Sequence, residues 1–253
     1  DTGVTTLTFN GAAAQSVTGT IIGDGAGEGA LVVSNTSAGG VTFNSAVGGT
    51  QLKSLLVSNN GNNVSATFKA ATNIAAMTLG NGAGSDTNTI TFDATGGAFT
   101  VTGTIKGDGA GNDTAKVTIK GGTVTTASAW GGGGNVIDEL TVTGSSGALT
   151  AGAAINATKF TLASGGTINT GAQTLTGNID GTGTVVATGS GTVTGNIGNT
   201  TKITAVTVNT GNTLTVSGNV KATTTTLVGA GSTLALTAGA TLDSAVVSTA
   251  GAA

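Results

Sequence analysis

The chain has no proline, cysteine, histidine, tyrosine or arginine. Without cysteine there is no disulfide framework, no thiolate metal site and no acylated N-terminal cysteine anchor, and either redox compartment is possible. Without histidine or cysteine the usual general base and thiol nucleophile are missing, and without arginine or tyrosine so are common groups for holding anionic sugars. The chain therefore reads as non-enzymatic. No stretch of apolar residues is long enough for a helix to cross a bilayer. Charged residues are 8% of the chain, the net charge is −3, and the eight lysines are scattered from Lys53 to Lys221. Phosphate neutralisation needs several cations on one face, so neither a nucleic acid nor an anionic membrane surface is an expected partner.

What is present is glycine, at 46 of 253 residues, together with short runs of β-branched and aliphatic residues. Thr6-Leu7-Thr8-Phe9, Lys116-Val117-Thr118-Ile119 and Thr213-Leu214-Thr215-Val216 alternate with period two, the pattern of a strand with one buried face. Aliphatic residues of this kind, recurring throughout, separate the chain from a disordered polar tract. The absence of an initiator Met and a basic apolar leader fits an exported protein whose signal peptide was removed before Asp1, although an excised fragment has the same appearance.

The sequence repeats itself. Val17-Thr-Gly-Thr-Ile21 returns 84 residues later as Val101-Thr-Gly-Thr-Ile105, and 74 further on as Leu175-Thr-Gly-Asn-Ile179. Leu55, Leu140 and Val206 form a second set of landmarks, and Met77, Phe160 and Thr225 a third, with shifts of 85 and 83, then 66 and 65. The units run approximately over 7–90, 91–164 and 165–253. Each holds about seven short strands, including those near Leu31 to Val33, Val41 to Phe43, Val64 to Phe68 and Asn88 to Phe92; Ala70 to Met77 is left open.

Two all-β architectures fit. Tandem β-sandwiches would need to fill three cores with few aromatics, which are 3% of the chain. A parallel β-helix fills a narrow interior with stacked aliphatics and turns its corners with Gly and Asn, and this single elongated β-solenoid over 1–253 is the expected fold. Coils of about 20 to 25 residues predict roughly 10 to 12 coils and a rod on the order of 50 Å long.

Gly177-Asn-Ile-Asp-Gly181-Thr-Gly-Thr-Val185, Val193-Thr-Gly-Asn-Ile197-Gly and Ala205-Val-Thr-Val-Asn-Thr-Gly-Asn-Thr-Leu214 resemble autotransporter passengers, in particular the rickettsial outer-membrane protein B group of surface-layer-like antigens. The resemblance implies a secreted right-handed β-helix displayed on a Gram-negative surface as a coat or adhesin. Such passengers are followed by a membrane barrel with aromatic girdles, a segment not found in these 253 residues.

Candidate chemistry is sparse. Gly23-Asp24-Gly-Ala-Gly-Glu28, Gly80-Asn-Gly-Ala-Gly-Ser-Asp86 and Gly107-Asp108-Gly-Ala-Gly-Asn-Asp113 resemble half of a calcium-binding nonapeptide turn, which makes Asp24, Asp86, Asp108 and Asp113 calcium candidates. These motifs stand singly and far apart, so tight glycine turns explain them more simply, and no cofactor other than structural calcium is considered. Asp138 and Glu139 are adjacent, and neighbours on a regular strand point to opposite faces, which excludes a glycosidase pair there. The pairs Thr100 and Thr102, Thr141 and Thr143, Thr192 and Thr194, and Thr213 and Thr215 suggest an ice-binding array, although threonine is also a common strand residue. Asn35, Asn63, Asn112, Asn156 and Asn199 begin glycosylation patterns. Trp130 is placed in a loop beside Gly131 to Gly134, as a contact residue or as packing.

The leading expectation is a secreted structural protein that self-assembles at the cell surface into a layer, sheath or filament. Asp1 to Thr8 and Thr241 to Ala253 show no amphipathic helix or charged cap, so copies are expected to associate through solenoid ends or lateral faces. The alternative is an adhesin offering loops such as Gly131 to Gly134 to a host or surface receptor. Ice binding is a minor alternative.

Overall fold

Alternating β-branched and small polar residues form strands wherever one face can be buried, and in the computed structural model they do so from end to end. The structure describes residues 5–59, 61–80, 85–108 and 112–249, and within them has 23 strands and no helix. All strand pairs are parallel, which excludes tandem sandwiches. The segment left open, Ala70 to Met77, contains most of a regular strand, Thr72–Leu79.

Each coil contributes inward residues to three ladders. The first runs Leu7, Leu31, Leu55, Met77, Ile105, Trp130, Ile155, Leu175, Val193, Val216 and Leu236, eleven rungs in all. The second begins Gln15, Val41, Ala66, Ile90 and Val117 and continues through Leu140, Phe160 and Ile179 to Leu242. The third passes through Ile21, Val47, Thr72, Val101 and Thr126 and, two residues earlier in the strand, through Leu149, Ile168, Val185 and Val206 to Val246. At about 4.8 Å per rung the column is about 50 Å long. Coil length varies more widely than expected, from 17 residues between Ile168 and Val185 to 29 between Thr72 and Val101.

Corners fall inside strands as well as between them. Val47–Val57 holds Val47 in the third ladder and Leu55 in the first, with its register shifting between Val47 and Leu52 where the chain turns. Hydrogen-bonded sheets of 12 and 11 strands therefore wrap from one side of the solenoid to another. Gly103 makes one such turn at φ 119°, and a Cβ there would lie only 1.6 Å from the Ile74 carbonyl oxygen on the coil before it.

The three sequence copies do not occupy equivalent sides. Leu55, Leu140 and Val206 lie in the first, second and third ladders, as do Met77, Phe160 and Thr225. Val101 and Ile105 sit in the third and first ladders, whereas their counterparts Leu175 and Ile179 sit in the first and second. Each copy spans three coils and one further side, so the next begins a third of a turn around the axis.

The buried hydrophobic residues are aliphatic apart from Phe160 and one aromatic stack. Phe43, Phe68 and Phe92 pair rung upon rung, with centroids 4.8 and 5.8 Å apart, and Trp130 stacks on Phe92 at 5.7 Å. This corrects the expected loop position of Trp130. It is a fully buried rung between Ile105 and Ile155, and the glycines after it form the turn. Its indole nitrogen has no hydrogen-bond partner among the described residues.

Candidate functional site

Three regions carry polar or exposed features beyond the scaffold. The first is a corner between the first and second sides. Asp86 meets Asp113, a partner 27 residues further on, and Asp108 and Asp113 both approach Gly80 of the preceding coil. Asp86 Oδ2 accepts from the Gly61 amide at 2.8 Å, and the Asp86 amide donates to Asp113 Oδ1 at 3.1 Å. The Asp86 and Asp113 carboxylates thus tie one coil to the next. Asp108 Oδ2 and Asp113 Oδ2 both lie close to Gly80, 2.9 and 3.0 Å from where its Cβ would stand. Asn88, fully buried, reaches Asp113 Oδ2 through its Nδ2 at 3.5 Å. Asp24 is not part of this corner; it lines a groove on the first coil. Residues 81–84 and 109–111 of the glycine motifs lie outside the described residues. Among the described residues no group of three or more acidic side chains is arranged to hold a metal by itself.

The second region is the pair of solenoid ends. Leu7 in the first ladder is 46% exposed, Leu242 in the second 39% and Val246 in the third 54%. These are inward positions whose equivalents on middle coils are buried. Beside Leu7 a groove of about 320 Å³ is lined by Ile22, Leu31 and Leu52, with Asp24 and Glu28 at its polar side. The parts of the expected pairing ends at Asp1–Val4 and Ala250–Ala253 lie outside the described residues.

The third region is the outer surface. On the second side Thr42, Thr67, Thr91, Thr118, Thr141 and Thr161 stack on consecutive rungs. A parallel row there is charged: Lys116, Glu139 and Lys159 are successive rungs, with Lys116 Nζ 3.0 Å from Glu139. That lysine, joined by the Thr161 hydroxyl, holds the Glu139 carboxyl below its ordinary value. Burial raises the pKa of Asp93, but bonds from Thr95 and Lys120 outweigh it and leave that carboxyl below its ordinary value too. The third side is uncharged over six successive rows: Thr123 with Thr125, Ala148 with Thr150, Thr167 with Asn169, Thr184 with Val186, Ala205 with Thr207, and Thr224 with Thr226. The threonine pairs picked out from sequence do not form one array. Thr100 lies on the third side, Thr141 on the second, and Thr192 and Thr213 on the first.

Two other expectations change. Asp138 and Glu139 do not point to opposite faces. Ile137 and Leu140 both turn inward, leaving the two acids together outside, a local departure from alternation. Each has its own partner, the Ala115 amide for Asp138 and Lys116 for Glu139. Asn35, read as a glycosylation acceptor, is fully buried with its Nδ2 bonded to the Ala13 carbonyl and to Gln15 Oε1. Compared with known proteins, the chain matches no family model, no curated protein and no solved structure.

Proposed function

We propose that this protein is a non-enzymatic structural solenoid whose copies join end to end in an extracellular coat or filament. The observation that carries the proposal is the exposure of core-ladder apolar side chains at both ends, Leu7 at one and Leu242 and Val246 at the other. A column of parallel coils is polar, so its two ends differ and a head-to-tail contact is heterologous, which gives open filaments when the rotation does not close. Strand addition across such a junction satisfies unpaired backbone groups and buries the exposed rungs. The likeness of Gly177 to Val185 and its neighbours to surface passengers supports the extracellular setting.

Electron microscopy and sedimentation of the purified chain test the reading. Filaments or long oligomers are expected, and Val246→Lys combined with Leu242→Asp is expected to return them to single rods. Single rods from the unaltered chain at high concentration would sink the proposal.

A second reading rests on the uncharged third side. Its paired rows set small side chains on a rigid grid of about 4.8 by 6.7 Å, spacings of the order found in an ice lattice. This predicts thermal hysteresis that Thr184→Lys abolishes and Thr118→Val, on the second side, leaves intact. A freezing curve identical to that of a control protein counts against it.

A further inference from the structure

We infer that a second copy of this chain docks on the first coil without rotation, so that like sides align and the solenoid runs on through the junction. The inference rests on the end-to-end reading above and specifies the register in which the two copies meet. The repeat supplies the first observation. Leu55, Leu140 and Val206 lie on the first, second and third sides, so each sequence copy advances the pattern by one side and three copies complete a whole turn. A fourth landmark would face the first side again. A second chain that continues the series therefore presents its own Leu55 on the first side, in phase with the chain before it.

The shape of the two ends supplies the second. A coil is a ramp, and among the described residues the ladders open with Leu7 on the first side and finish with Val246 on the third. Each end therefore has a step one strand high, about 4.8 Å, at the corner between the third and first sides. On the first coil this corner is the groove between Leu7 and Ile21–Ile22. On the last coil Ser248 and Thr249 follow Val246 toward the same corner. When the corners coincide, Leu236 of one copy lies under Leu7 of the next and Leu242 under Gln15, and the strand end from Val246 runs under Ile21 into the groove. Thr233–Leu236, at the edge of the 11-stranded sheet, then adds to Thr6–Phe9, at the edge of the 12-stranded one. A rotation by one side sets the two steps apart and leaves a strand-wide gap, with unpaired backbone groups and apolar rungs facing it.

Charge selects which ends meet. From Thr5 to Leu52 the sequence carries Asp24 and Glu28 and no lysine, whereas after Asp180 Lys202 and Lys221 outnumber Asp243. Unlike ends attract and like ends repel, which favours head-to-tail approach. In the aligned filament the uncharged third sides of successive copies follow one another along one line.

The chain has no cysteine, so single introduced thiols report the junction without background. A chain carrying Thr6→Cys is mixed in turn with chains carrying Ala235→Cys, Thr241→Cys or Ala245→Cys, which precede the last rungs of the first, second and third sides as Thr6 precedes Leu7. Each mixture is imaged by electron microscopy and then oxidised. Neighbouring strands about 4.8 Å apart fall within the roughly 4.4–6.8 Å between Cα atoms that a disulfide spans. The Ala235 mixture is expected to give about tenfold more cross-linked dimer than either of the others. Filaments that cross-link best through Ala245→Cys or Thr241→Cys, or through none of the three, overturn the aligned junction and leave end-to-end assembly standing. Rods that neither associate nor cross-link overturn both.

Discussion

Leu55 and Leu140 hold equivalent places in the repeated sequence yet face the core from different sides, Leu55 pairing with Met77 in the first ladder and Leu140 with Phe160 in the second. The same one-side advance carries Leu140 to Val206 in the third ladder. A duplication of three whole coils would have stacked like upon like. One of three coils and one side distributes each motif around the axis, so no side accumulates all copies of a given turn. The charged row Lys116, Glu139 and Lys159 is consequently confined to one side, and the uncharged rows to another.

Excision of residues 56–140 joins two equivalent points. The shortened chain is expected to fold as a solenoid about 16 Å shorter, at roughly 4.8 Å per coil, with every downstream residue moved one side around. Small-angle scattering measures the length, and circular dichroism the retained strand content. A disordered product would show that the repeat is not a structural module.

Trp130 tests the core. Replacing it with Ala removes the largest buried side chain and its stack on Phe92, and is expected to cost about 3–5 kcal/mol in denaturant unfolding. Trp130→Phe keeps a ring and removes an indole N–H that has no partner among the described residues, so the loss should be clearly smaller. Equal losses would place the residue outside the packed column.

Gly103→Ala is expected to destabilise by well over the roughly 1 kcal/mol of an ordinary backbone penalty, because the new Cβ meets the Ile74 carbonyl. Gly132→Ala serves as the control, since nothing lies within 4 Å of its added Cβ. Comparable melting temperatures for the two variants would contradict the corner geometry.

Acidification should weaken the fold through Glu139 and Asp93. Both carboxyls titrate lower in the folded chain than in the unfolded one, so the unfolded state binds more protons as the pH falls. Their stabilisation is present above the ordinary values of 4.5 and 3.8 and is lost as the pH drops through the depressed folded values. The Lys116–Glu139 pair is partly exposed and contributes about 0–1 kcal/mol. Glu139→Gln with Asp93→Asn should flatten the stability profile in this acid range, as read by urea unfolding at a series of pH values. An unchanged slope would remove both groups from the account.

The strand language was legible because burial in a column requires only local alternation. Val64 to Phe68, for example, is read as a strand and is one, with Val64, Ala66 and Phe68 buried. The corner of Asp86, Asp108 and Asp113 was not legible as a cluster. Their motifs look solitary along the chain, and only the coil lengths between them decide that they meet. Trp130 was misplaced for a related reason. The glycines that follow it signal a turn, but a single inward rung before a turn carries no periodicity of its own.

By itself, then, the sequence determined an all-β chain with an aliphatic interior, glycine corners and no thiol or imidazole chemistry, because each of these depends on composition and on neighbours two or four residues away. The tertiary structure alone decided which side every repeat copy faces, which carboxylates converge and which rows of threonine line up. Those relationships accumulate the lengths of all intervening turns, and a turn lengthened by a few residues in one coil shifts what stacks in the next.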